Sequence, residues 1–227
     1  MSERSSIFDM IGPIMIGPSS SHTAGVVRIG NFAYTLLGKS PSRVTVTFYN
    51  SFATTFKGHG SDLAIIAGLL GIKTDDVRIK MAHEIAKKEQ VHFEFKTINN
   101  ANEKHPNTIK LRLISDATTV EVIGVSLGGG VIKIVAIDGF DCNLSAQSDT
   151  LIIKADDIKG SIAFIAEVIA HDDCNIATMS VSRKSKNGQG CHFIEMDSGL
   201  RPITLQYLQS LKWISTVIYI SGKALTN

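Results

Sequence analysis

The hydrophobic period of this chain changes partway along, and that change restricts the fold more than any single residue does. Up to Lys88 the apolar positions recur at helical spacing. One stripe runs Val26, Ile29, Phe32, Ala33, Leu36 and Leu37 and closes at Gly38. A second runs Leu63, Ile66 and Leu70 up to Gly71, with Ser61 placed to cap it, and a third helix is expected from Asp75 to Lys88. Between the first two, Arg43–Tyr49 alternates as a half-buried strand. From Val91 onward the period is two: Val91, Phe93 and Phe95; Ile109, Leu111 and Leu113; Val120–Val125; and Val131–Ile137. Gly128-Gly129-Gly130 joins the last two runs as a hairpin turn. Helices mixed with strands, followed by hairpins, define an α+β chain.

Asn143–Asp149 is polar and aperiodic, so a domain boundary is expected there, dividing the chain into 1–146 and 149–227. The second part reads strand Thr150–Lys154, helix Ser161–His171, strand Ile176–Arg183, strand Cys191–Met196, a helix from Pro202 and strand Ile214–Ile220. That order, βαββαβ within about 75 residues, is the ferredoxin-like one.

With 44% hydrophobic and 19% charged residues in 227, the chain has material for a packed core. The net charge of +2 argues against nucleic acid as a partner. The one short basic run, Arg183-Lys184-Ser185-Lys186, adjoins the turn Asn187-Gly188-Gln189-Gly190 and reads as a solvated hairpin tip. No apolar segment approaches the roughly 20 residues that cross a bilayer. Met1-Ser2-Glu3-Arg4 lacks a signal-peptide hydrophobic region. Cys142, Cys174 and Cys191 are odd in number and widely spaced, which fits neither a disulfide framework nor a metal motif. The expectation is a reduced, cytoplasmic protein without a membrane partner.

An apolar lead-in, residues 7–16, delivers the chain to Gly17-Pro18-Ser19-Ser20-Ser21-His22-Thr23-Ala24-Gly25, at the start of the first helix. A helix start presents unpaired N–H groups and partial positive charge. Hydroxyls added there make a donor-rich cradle for a carboxylate or a phosphate. Three consecutive serines followed by His and Thr exceed what a cap requires. Gly58-His59-Gly60 precedes the next helix, and its glycines leave the ring uncrowded. A third histidine, His105, lies in the polar loop Asn99–Thr108, where Pro106 holds it in extended backbone. The other histidines have plainer readings. His83 and His92 belong to solvated faces, His171 complements the end of its helix, and His192 alternates with Cys191 and Phe193 as a face residue.

Two resemblances follow from these motifs. The segment Asn175–Arg183, with the helix before it, is similar to ACT domains, which bind amino acids at paired interfaces. The resemblance maps ligand contacts to Asp157, Gly160, Ser161 and Asn175. It departs from the usual pattern in having Lys159 where a Pro is common and Asp157 where serine-sensing relatives carry Asn. Sensing and simple dimerisation both remain open for this module.

The serine loop, Lys57-Gly58-His59-Gly60-Ser61-Asp62 and His105-Pro106-Asn107-Thr108, in that order, resemble the β subunit of two-chain, iron–sulfur-dependent L-serine dehydratases. With the triple-glycine turn and the ACT-like module, the resemblance covers essentially the whole chain. It implies an N-terminal mixed α/β domain similar to the allosteric substrate-binding domain of phosphoglycerate dehydrogenases. It also implies conversion of L-serine to pyruvate and ammonia, with a [4Fe–4S] cluster ligated by an α subunit and room for a monovalent cation. Homodimerisation through the ACT module belongs to the same expectation. On this resemblance His59 and His105 are acid/base or substrate-orienting residues, and Ser19, Ser20, Ser21, His22, Thr23 and Asn107 hold the substrate. A non-catalytic amino-acid sensor is the alternative. A phosphate-handling enzyme is a weaker one, because the loop lacks the Gly-Lys-Ser/Thr ending of a P-loop.

Overall fold

The computed structural model describes residues 14–116 and 118–226, so most of the apolar lead-in lies outside the described residues. The chain divides into two compact units, Met1–Asp138 and Gly139–Asn227. Both mix helices with strands, as α+β patterning requires.

In the first unit a helical turn at Ser20–Ala24 leads into α1 (Gly25–Leu37), which stops at Gly38 in the left-handed conformation. β1 (Arg43–Tyr49) runs directly into a six-residue helix, α2 (Asn50–Thr55), and α3 (Ser61–Leu69) follows. The third helical stretch is split into a tight 3₁₀ segment at Val77–Met81 and α4 (Ala82–Lys88). β2 (His92–Ile98), β3 (Thr108–Ser115), β4 (Thr118–Gly128) and β5 (Val131–Ile137) complete the unit. Its strands lie in the order β2-β1-β3-β4-β5. β1 and β2 pair in parallel, Val44 opposite Phe93, because helices connect them, whereas β3, β4 and β5 pair antiparallel through direct turns.

The apolar stripe of α1 is fully buried at Val26, Val27, Ile29, Phe32 and Ala33. Where α1 crosses α3 the two main chains nearly touch. A Cβ on Gly68 would lie 2.2 Å from the Val27 carbonyl oxygen, and Gly30 sits opposite. Any larger residue at this crossing would push the helices apart.

The second unit contains β6 (Phe140–Leu144), β7 (Asp149–Asp156), α5 (Ser161–His171), β8 (Ile176–Arg183), β9 (Gln189–Met196), α6 (Pro202–Ser210), β10 (Ile214–Ile220) and α7 (Gly222–Thr226). Its four-stranded antiparallel sheet has the order β10-β7-β9-β8. One sheet face, with Leu151, Ile153, Ile194 and Met196, packs under Ile165 and Ile169 of α5 and Leu208 of α6. On the other face Glu195 is buried and satisfied by three donors: Ser145 N–H at 2.8 Å, Ser145 Oγ at 2.6 Å and Thr178 Oγ1 at 3.2 Å. β9 is thus buried on both sides, and alternation there does not separate solvent from core. His192 is therefore a core residue, only 2% exposed, and not the face residue that its pattern suggests. Its Nδ1 has no hydrogen-bond partner among the described residues, and burial holds its pKa below the ordinary value.

Candidate active site

The serine stretch lies at the helix entrance, as the sequence places it, and Ser20 and Ser21 are themselves helical. Ser20–Ala24 forms one wide π turn, closed by Gly25 N–H donating to the Ser20 carbonyl. Ser19 caps this turn: its Oγ accepts from His22 N–H at 3.3 Å and its carbonyl from Thr23 N–H at 2.8 Å. Single wide turns of this kind are over-represented at functional sites. Gly25 is required because a Cβ there would fall 2.1 Å from Ser126 Oγ. That close approach lets Ser126 Oγ–H donate to the Ser21 carbonyl at 2.9 Å, fixing the turn to β4. Ser20 Oγ accepts from Gly129 N–H at 3.1 Å, so the triple-glycine turn reaches the same place.

His22 and His59 meet here, with ring centroids 4.6 Å apart and planes tilted by 34°. The edge of Phe52 supports His22 at 4.8 Å. Ser61 does not cap α3; Gly60, with φ of +68°, takes that position. The fully buried Ser61 hydroxyl instead donates to the His22 carbonyl at 2.9 Å, coupling the start of α3 to the serine turn. Thr23 is buried with its Oγ1 unpartnered among the described residues. Such a hydroxyl costs about 1–3 kcal/mol when left unpaired.

Hydrogen bonds fix the state of each ring. His59 Nδ1 lies 3.2 Å from the Thr55 carbonyl, which can only accept, so the proton is on Nδ1 and the Nε2 lone pair is free. His22 Nδ1 lies 3.0 Å from Ser21 Oγ and its Nε2 3.0 Å from Thr55 Oγ1. Burial, and then the neighbouring His59, hold the His22 pKa below its ordinary value, so this ring is neutral at pH 7.

The His105 loop is anchored nearby through its main chain. The Pro106 carbonyl accepts from Phe52 N–H at 3.4 Å, and the Asn107 carbonyl accepts from Ser126 N–H at 3.0 Å. His105 is exposed, and its Nδ1 accepts from Asn107 N–H at 3.1 Å, leaving the proton of the neutral ring on Nε2. Partial desolvation of the ring against its own loop lowers the His105 pKa. Asn107 thus contributes main-chain groups to the loop's geometry. Thr55, Phe52 and Ser126 escaped sequence reasoning, although Thr55 lies only four residues before His59.

In the second unit two of the four residues of the ACT resemblance, Asp157 and Asn175, have side-chain partners within the unit. Asp157 accepts from Arg183 at 2.7 Å and from Asn187 N–H at 3.2 Å, which holds its carboxyl below the usual range. Asn175 donates to Asp197 at 2.8 Å, Gly160 caps α5 with φ of +85°, and Ser161 is buried. His83 and His171 are exposed and pair loosely with Asp62 and Glu167. No group of three or more His, Cys, Asp or Glu among the described residues could hold a metal ion. The three cysteines lie in the second unit, and burial pushes the Cys142 thiol up to about 12. Among the described residues no helix is long and apolar enough to cross a membrane.

The family model for the serine dehydratase beta chain matches residues 6–136. A probable L-serine dehydratase beta chain of Bacillus subtilis is 43% identical over 216 residues, covering 95% of this chain and 98% of the relative. The L-serine dehydratase beta chain of Peptoniphilus asaccharolyticus is 33% identical, covering 95% and 97%. A D-3-phosphoglycerate dehydrogenase of Bacillus subtilis is 26% identical over 68% of this chain and 29% of its own length. The chain belongs to the serine dehydratase beta chain family.

Proposed function

We propose that this chain is the β subunit of a cytoplasmic L-serine dehydratase and that it contributes the acid/base and substrate-holding groups to a site shared with an α subunit. The observation that carries the assignment of roles is the 3.2 Å contact of His59 Nδ1 with the Thr55 carbonyl, which assigns the proton to Nδ1. It leaves Nε2 as a lone pair on a half-exposed ring beside the serine turn, which is the state a general base requires. His59 Nε2 takes the α-proton of L-serine, and the electron pair of that C–H bond forms the Cα=Cβ bond. The β-hydroxyl departs with a proton as water. The resulting enamine tautomerises to an imine, and water hydrolyses it to pyruvate and ammonia. His105 carries its proton on Nε2 and has the donor role, orienting or protonating the leaving hydroxyl.

Ser19, Ser20, Ser21, His22 and Thr23 hold the carboxylate and ammonium of the substrate, with Asn107 setting the His105 loop. A [4Fe–4S] cluster held by the α subunit would supply Lewis acidity toward the substrate hydroxyl. The described residues of this chain offer no ligand set for it. We assign residues 149–227 to an ACT domain that pairs two copies of the subunit. The ion pair already formed between Asp157 and Arg183 favours dimerisation over amino-acid binding at that loop.

The test is anaerobic pyruvate formation from L-serine, measured for this chain alone and with a cluster-loaded α subunit. Activity only in the mixture is the expected result. Binding of L-serine by the chain alone, without turnover in either case, would favour a sensor.

A further inference from the structure

One residue touches both paired histidines. Thr55, at the end of the short helix α2, offers its side chain to one ring and its main chain to the other. Its Oγ1–H donates to the Ser51 carbonyl at 2.7 Å. The hydroxyl proton being engaged there, Oγ1 meets His22 Nε2, 3.0 Å away, as an acceptor, and His22 must carry its proton on Nε2. His22 Nδ1 is then a lone pair, and Ser21 Oγ–H donates to it at 3.0 Å. Ser19 Oγ–H follows in the same sense, toward Ser21 Oγ at 3.2 Å or His22 Nδ1 at 3.4 Å. The carbonyl of Thr55 meanwhile accepts from His59 Nδ1–H at 3.2 Å.

We propose that Thr55 is the positioning residue that sets the proton on both histidines: through Oγ1 it fixes His22 and polarises the serine turn, and through its carbonyl it leaves His59 Nε2 free. The row of donors runs in one direction, from Ser19 through Ser21, His22 and Thr55, and ends on a main-chain carbonyl whose polarity cannot reverse. Ser19 and Ser21 therefore face a ligand as acceptors, suited to an ammonium. Ser20 accepts from Gly129 N–H and retains its hydroxyl proton for a carboxylate. The consequence for turnover rests on the dehydratase reading; the proton positions do not.

The experiment records imidazole ¹⁵N spectra of the full chain and, in parallel, kcat and KM of the enzyme assembled with its α subunit. Wild type should show His22 protonated on Nε2 and His59 on Nδ1. Thr55→Val keeps the carbonyl and removes the hydroxyl, so His22 should lose its single tautomer while His59 keeps its own. Unwinding of α2 would disturb both rings instead, and that outcome would overturn a positioning role for the hydroxyl. We expect kcat to fall about 10–100-fold in Thr55→Val, with a smaller change in KM, and Thr55→Ser to restore most of it. Protonation of His22 on Nδ1 in the wild type would overturn the proposal whatever the variants do. So would full turnover in Thr55→Val. An assembled wild-type enzyme that makes no pyruvate would remove the dehydratase reading, while the spectra would still decide the role of Thr55.

Discussion

Each unit contains a helix that starts in the same way. α3 begins Gly60-Ser61 and α5 begins Gly160-Ser161; both glycines are left-handed, neither helix has a side-chain cap, and both serines are buried. Beyond that the two starts diverge. At Gly160 the nearby acid, Asp157, is already paired with Arg183 and Asn187. At Gly60 the preceding residue is His59, with Nε2 free, and Ser61 reaches across to the turn that carries His22. The same local geometry is closed by an ion pair in one unit and left chemically unsatisfied in the other. Reactivity resides in what the neighbouring elements leave unpaired, rather than in the Gly–Ser start itself.

The sharpest way to separate the two starts is to remove the proposed base, His59. His59→Ala should lower pyruvate formation by about 10²–10⁴-fold while leaving the circular-dichroism spectrum unchanged. Near-normal turnover would remove His59 from the chemistry. A paired substitution tests the shared geometry. A Cβ added at either glycine would meet no atom within 4 Å, so Gly60→Ala and Gly160→Ala should each cost about 1–2 kcal/mol in denaturant unfolding, from backbone strain alone. Turnover should fall much further for Gly60→Ala; equal losses would erase the distinction between the units.

Acidification probes one histidine in each unit, half-buried His22 and buried His192. His22 and His192 have pKa values held below 6.5, so each binds its proton more weakly when folded. Their contribution is fully present above 6.5 and is lost as pH falls through the lowered values. The thermal midpoint should therefore drop between about pH 7.5 and about pH 5.5, and His192→Leu should reduce the slope. The smallest effect is expected from Asp157→Asn. Its depressed pKa makes its contribution present at neutral pH and lost in acid, so the variant should be slightly less stable at neutrality and indistinguishable at low pH, by thermal melts.

Most of the elements were legible in the sequence because their apolar positions faced one core. Helix Ser161–His171 and strands Ile176–Arg183 and Ile214–Ile220 begin and end where periodicity and turn residues put them. α2 was not legible. Asn50, Ser51, Thr54 and Thr55 are weak helix formers, and Asn50 itself has φ of +50°. Thr55 stayed hidden with it, because only the helix brings its hydroxyl and carbonyl round to the histidines. β6 shows no period of its own, and its last two residues, Asn143 and Leu144, fall in the polar stretch Asn143–Asp149, although the Asp138-Gly139 dipeptide before it, both residues at positive φ, is a strong turn signal. The histidine and serine motifs were visible as residue types. Their protonation states were not, since these depend on carbonyls contributed by distant turns.

The Gly30–Gly68 crossing bears on how such a site ages under mutation. Since main chain rests on main chain there, the spacing of the two helices is set by bond geometry instead of by a side chain that could be exchanged or could change rotamer. His22 precedes one of these helices and His59 the other. Drift elsewhere in the core can alter packing and overall stability, yet the gauge between the two imidazoles is carried by the least mutable material in the protein.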